Sequence, residues 1–141
     1  MVKLDLTIDV IIHATEDVRK FLDTFQELFG LEEDDFSISH VTGHYDNPII
    51  TLHSKISKKP AQEFLKKFLG LVDNAQKNEI IHDIEERTEN STLHIRFDKQ
   101  DFIQEKISFK EQDAIRLKIH TPVYNKKETV KVFRDLIEQV N

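Results

Sequence analysis

Seven residues, Gly43-His44-Tyr45-Asp46-Asn47-Pro48-Ile49, put an imidazole, a phenol, a carboxylate and a carboxamide side by side just ahead of an apolar run, Ile49-Ile50-Thr51-Leu52. These groups can stack, donate and accept hydrogen bonds, and exchange a proton. The backbone around them is restricted. Gly43 can take a positive φ, Asn47 is biased to extended geometry by the proline after it, and Pro48 can open a strand but not sit inside one. A polar loop of specified shape on a rigid scaffold is a candidate binding loop. The plainer alternative is a hairpin corner whose side chains cap their own backbone, with Gly43 and Pro48 as structural turn residues.

Other chemistry is weaker. His40 and His44 have the i, i+4 spacing that binds zinc on a helix, but they flank Gly43 in strand-turn context, and no cysteine is available to complete a site. No metal site and no cofactor are expected. Consecutive residues such as His44, Tyr45 and Asp46 diverge along an extended backbone and do not converge on one reacting atom. No nucleophile triad or phosphate loop is present, so the expectation is a protein without catalytic activity.

The basic residues are segregated. Lys55, Lys58, Lys59, Lys66 and Lys67 stand against the single acid Glu63, and the polar sides of two later strands carry His94, Arg96, Arg116, Lys118 and His120. Acids gather at 32–35 and 83–89. Phosphate neutralisation supplies most non-specific nucleic-acid affinity, so a chain of net charge −6 must bind RNA through a local patch if it binds at all.

Positioning these groups falls to elements that the hydrophobic pattern marks. Leu4, Leu6, Ile8, Val10 and Ile12 alternate as a half-buried strand. Thr15 stands at an N-cap position before a helix on Val18, Phe21, Leu22, Phe25, Leu28 and Phe29, which Gly30 ends. Strands are expected near 36–41 and 49–55. A helix follows from Lys59-Pro60, burying Ala61, Phe64, Leu65, Phe68 and Leu71. A polar break at 73–77 precedes further helical turns on Ile80, Ile81 and Ile84. Strands on Leu93/Ile95/Phe97 and Ile115/Leu117/Ile119 are separated by a turn or single helical turn at 98–102. Asn125 and Glu128 have capping-box spacing ahead of a last helix on Val130, Phe133, Leu136, Ile137 and Val140. This order predicts an α+β fold, a mixed sheet packed with helices. With 141 residues, no repeats and no linker, residues 1–141 read as a single domain. No apolar run approaches a membrane span, no signal-peptide core is present and there is no cysteine, so a cytoplasmic location is expected.

His13-Ala14-Thr15-Glu16-Asp17, the helix after it, the heptapeptide at 43–49 and Phe97-Asp98-Lys99-Gln100, in this order and spacing, resemble the small archaeal RNA-binding proteins described as predicted exosome-associated subunits. The resemblance spans about Leu4 to Ile137, with the heptapeptide its most specific part; Asp46 stands where the family pattern has a second glycine. It implies a fold related to ribosomal protein L5 or to double-stranded RNA-binding domains, and RNA, with RNA-processing subunits, as partners. On this basis Tyr45 is expected to stack on a base or ribose. His44 and Asn47 are expected to hydrogen-bond, and Lys55, Lys58, Lys59, Arg96, Lys99, Arg116 and Lys118 to take phosphates. The alternative is a protein-interaction or homodimeric assembly module without direct RNA binding, or, further off, a metal-independent nuclease centred on His44.

Overall fold

In the computed structural model, which describes residues 3–43 and 47–139, strand β1 (Asp5–Ile12) buries Leu6, Ile8, Val10 and Ile12 on one side. Asp5, Thr7, Asp9 and Ile11 point the other way, as period-two alternation requires. Five more strands complete an antiparallel sheet: β2 (Ser37–Thr42), β3 (Pro48–Ser57), β4 (Thr88–Glu89), β5 (Thr92–Asp98) and β6 (Ala114–His120). They are ordered β2-β3-β1-β6-β5-β4. With the helices this is the α+β class the pattern predicts, the sheet being antiparallel where a mixed one is expected. No helix among the described residues is long and apolar enough to cross a membrane.

The β2–β3 register runs from Ser37 opposite His53 to Thr42 opposite Pro48, so Pro48 occupies the first residue of its strand, where a missing N–H is tolerated. The Gly43 amide donates to the Asn47 carbonyl at 2.7 Å, closing the turn. Gly43 is not left-handed, as the sequence suggested it could be. A Cβ there would stand 2.4 Å from Ile49 Cδ1, the tip of that side chain, and 3.3 Å from the Asn47 carbonyl oxygen, so a larger residue needs Ile49 to move aside. His44, Tyr45 and Asp46 lie outside the described residues.

Contacts gather the chain into two compact units. The first comprises Met1–Leu6, Ile56–Ile95 and Lys118–Asn141. In it β3 gives way to helix α2 (Lys58–Leu71) with no intervening loop, through Lys58 at φ 61°. Helix α2 buries Ala61, Phe64, Leu65, Phe68 and Leu69; Leu69, not the expected Leu71, completes the apolar face. The stretch expected as a polar break is a helix start: Asp73 and Gln76 cap α3 (Asn74–His82) reciprocally. A short α4 (Ile84–Arg87) leads to β4. Helix α6 (Lys126–Gln139) contacts α3 and α4 and is capped by the Asn125 side chain, which accepts from the amides of Lys127 and Glu128.

The second unit, Thr7–Lys55 and Arg96–Leu117, holds α1 (Val18–Phe29) and α5 (Lys99–Phe102). Asp17, not Thr15, is the N-cap of α1 and accepts from the Arg19 amide at 2.9 Å; Gly30 ends the helix at φ 69°. The unit's core is aromatic, with Phe25 centred 4.6 Å from Phe102 and 5.0 Å from Phe36, and Phe97 centred 5.6 Å from Phe102.

Candidate nucleic-acid interface

Each unit carries a hollow of its own, and the two differ in charge. In the first unit a cleft of about 840 Å³ is lined by Lys3, Asp5, Ser57, Lys58, Lys59, Gln62, His120, Pro122 and Tyr124, with Leu4 at its base. Antiparallel strand order explains how sequence-distant residues meet: the start of β1, the end of β3 and the end of β6 fall at one end of the sheet. The abrupt β3–α2 junction then sets Lys58 and Lys59 at the rim. None of Lys3, Lys58 and Lys59 has an ion-pair partner among the described residues. His120 Nδ1 lies 3.2 Å from Thr92 Oγ1, which orients the ring and leaves Nε2 as its other hydrogen-bonding atom.

Tyr124 is 78 % exposed, on the segment between β6 and α6. That segment is held tightly. The Thr121 amide donates to the Ser91 carbonyl at 3.1 Å. The Ser91 hydroxyl donates to the Val123 carbonyl, and the buried Thr129 hydroxyl lies 2.5 Å from the same oxygen.

In the second unit a smaller hollow of about 380 Å³ is lined by Asp9, Ile11, Arg96, Glu111, Gln112, Asp113, Ala114 and Arg116. Two guanidinium groups there face three carboxylates, and Arg96 comes within 4.0 Å of Glu111. Beside it lies an ionic cluster. Lys99 is 3 % exposed, and its ammonium meets the Ile11 carbonyl at 2.8 Å, Glu16 Oε1 at 2.7 Å and Asp113 Oδ1 at 2.9 Å. Asp113 Oδ1 is also 3.0 Å from His13 Nε2, and Gln100 Nε2 lies 3.4 Å from Glu16 Oε2. The hydrogen bond from Lys99, assisted by that of His13, holds the Asp113 carboxyl below the usual carboxylate range against a smaller opposing effect of burial.

The predicted contact residues therefore separate. Lys58 and Lys59 are brought together with Lys3 and His120. Lys55 is exposed on β3, and Arg96 and Arg116 share the acidic hollow, both in the second unit. Lys118 is half-buried on β6, and Asn47 is exposed at the β2–β3 turn. His44 and Tyr45 lie outside the described residues. Lys99 stands apart from the other predicted contacts: its side chain is buried and its ammonium meets three protein acceptors, which ties β1 and the segment before α1 to Asp113. His13 to Asp17 and Phe97 to Gln100, two parts of the pattern that carries the family resemblance, thus meet in one structural cluster. Lys3, Gln62 and Tyr124 join the site although the hydrophobic pattern did not single them out. Tyr124 left one trace, an aromatic placed outside helical or strand periodicity between Pro122 and a helix cap.

The chain is similar to an RNA-binding protein of Pyrococcus abyssi, 29% identical over 143 residues covering 95% of this chain and 93% of that one. It is also similar to an uncharacterized protein of Methanocaldococcus jannaschii, 31% identical over 137 residues, 89% of this chain and 91% of that one. A crystal structure of a DUF54 protein from Archaeoglobus fulgidus superposes with a TM-score of 0.80 at 28% identity, covering 95% of this chain and 99% of the other. Residues 5–121 match the model of the family described as RNA binding, and the chain belongs to that family.

Proposed function

We propose that this chain is a non-catalytic RNA-binding module whose principal phosphate contacts come from Lys3, Lys58 and Lys59. The observation that carries this is the concentration around one cleft of three lysines without ion-pair partners among the described residues, with Asp5 the one carboxylate in the described lining, in a chain of net charge −6. The acidic remainder restricts binding to that patch, because like charge repels a phosphate backbone elsewhere. Membership of the family, and the name of the Pyrococcus relative, support RNA as the ligand. The association with RNA processing or the exosome that the resemblance implies belongs to the same proposal, as does a fold related to ribosomal protein L5.

The test is fluorescence anisotropy of labelled RNA titrated with protein at about 50 and 200 mM salt. Three neutralised phosphates on a single strand give a log–log slope of about −2, or about 15-fold weaker binding at the higher salt. Absence of binding at the lower salt by folded protein would sink the proposal.

A further inference from the structure

The first unit's cleft contains more than charge. Three lysines alone would hold a phosphate backbone in any conformation, paired or unpaired. Tyr124 adds a flat, exposed ring at the same cleft, with a hydroxyl at its far edge, and His120 lines it with an imidazole.

The ring is displayed on a fixed support. Asn90 and Ser91 join β4 to β5 as a two-residue hairpin turn, with φ of 49° and 64°. Such a turn needs left-handed geometry at both positions and favours glycine at the second. Serine there is strained, and its hydroxyl has a defined use: it donates to the Val123 carbonyl, the residue before Tyr124. Its carbonyl receives the Thr121 amide three residues ahead of the tyrosine. The hydroxyl of Thr129, buried in α6, lies within hydrogen-bond distance of the Val123 and Asn125 carbonyls. An aromatic that is exposed yet supported by a backbone pinned at two points is preorganised for stacking, because little loop entropy remains to be lost on binding.

We infer that the cleft holds one unpaired nucleotide of a single-stranded RNA, its base stacked on Tyr124 and its flanking phosphates between Lys3, Lys58 and Lys59. Ser91 is a positioning residue for that ring. This rests on the RNA-binding reading above and adds selectivity to it: a base inside a duplex already has both faces stacked and offers none to Tyr124.

The chain has two tyrosines and no tryptophan, so tyrosine emission can report the contact directly. In a Tyr45→Phe protein Tyr124 is the sole tyrosine, and in a Tyr124→Phe protein Tyr45 is. Each is titrated with a short unlabelled single-stranded RNA and with the same sequence as a duplex. The expected result is quenching of Tyr124 by the single strand only. Alongside it, Tyr124→Ala weakens single-strand binding about tenfold, and Tyr124→Phe weakens it much less. Ser91→Ala is expected to reduce both the affinity and the degree of Tyr124 quenching at saturation, a readout that a loss of stability alone would not move.

Unquenched Tyr124 with single-strand affinity unaffected by Tyr124→Ala would overturn the inference while leaving RNA binding intact. So would quenching confined to Tyr45, or equal quenching by duplex. Failure of the unmodified protein to bind either RNA would remove both this inference and the function it rests on.

Discussion

The two hollows are built from the same materials and reach opposite electrostatic results. The first lies at an end of the sheet, among strand ends, a helix start and a loop, and the second among strand residues that point away from the buried side, and both have long cations in their lining. In the first unit the cations are three lysines without ion-pair partners among the described residues, one carboxylate faces them, and an exposed ring stands beside them. In the second, Arg96 and Arg116 share their hollow with Asp9, Glu111 and Asp113, while Lys99 is buried against Glu16 and Asp113. Counting basic residues along the chain treats these regions as equals. What separates them is the company each cation keeps: in the second hollow three carboxylates compete with a phosphate for the two guanidinium groups, although Arg116 makes no ion pair among the described residues. Under the proposed function, the first unit's lysines are the cations available to a phosphate backbone, while Lys99 in the second serves its own unit's packing.

The largest effect expected on either side of this contrast is on stability. Lys99→Met preserves much of the side chain's volume but leaves the mostly buried Glu16 without its ammonium partner. Removing one member of a buried pair costs about 3 kcal/mol. The denaturation midpoint in urea should fall accordingly, while the RNA affinity of the folded fraction stays unchanged; a phosphate ligand would show the reverse. The same cluster gives an acid limb. Asp113 has a lowered folded-state pKa, so its contribution to stability is fully present above the ordinary carboxylate range and is lost as pH falls through the lowered value. Denaturation followed from neutral to acid pH should show that loss in the native protein. In Lys99→Met the Asp113 share of it should be much reduced, because its first cause is gone.

Next in size is the direct comparison of the two rims. Lys58→Glu combined with Lys59→Glu should weaken RNA binding more than about tenfold and flatten its salt dependence. Arg96→Gln combined with Arg116→Gln should change it less than about threefold, since those charges already sit among carboxylates. Equal losses from the two pairs would mean that the carboxylates of the second hollow do not govern its use.

Much of this architecture was legible from periodicity. Alternation located β1, β5 and β6, and Gly30 and Asn125 marked a helix end and a helix start by mechanisms confined to a few residues. What escaped was set by long-range meetings. Lys99 in a polar tetrapeptide reads as surface charge, and its burial follows from Glu16, 83 positions away. Tyr124 reads as loop filler until antiparallel pairing brings β6's end to Lys3 and Lys58. Asp73 to Lys77 reads as a break because capping side chains and loop side chains are the same residue types. The heptapeptide at 43–49, the most specific feature of the sequence, shows its structural half in the Gly43–Asn47 turn, while His44 and Tyr45 remain candidates that the Tyr45 arm of the fluorescence experiment addresses.

The smallest expected effect separates binding from folding most cleanly. Lys58 in the first unit and Glu105 in the second both hold a left-handed backbone, at φ 61° and 65°. A side chain in that region crowds its own carbonyl, whereas glycine does not. Relief of that strain is partly offset by the greater freedom glycine gives the unfolded chain, so Lys58→Gly and Glu105→Gly should each stabilise by about 0.5–1 kcal/mol. Only Lys58→Gly should also weaken RNA binding, by the few-fold that one phosphate contact supplies. A residue that is kept in a strained conformation, and whose replacement improves stability but impairs binding, is held there for its side chain. If both variants gain stability and neither loses affinity, Lys58 shapes the β3–α2 junction without touching RNA, and the lysine contacts reduce to Lys3 and Lys59.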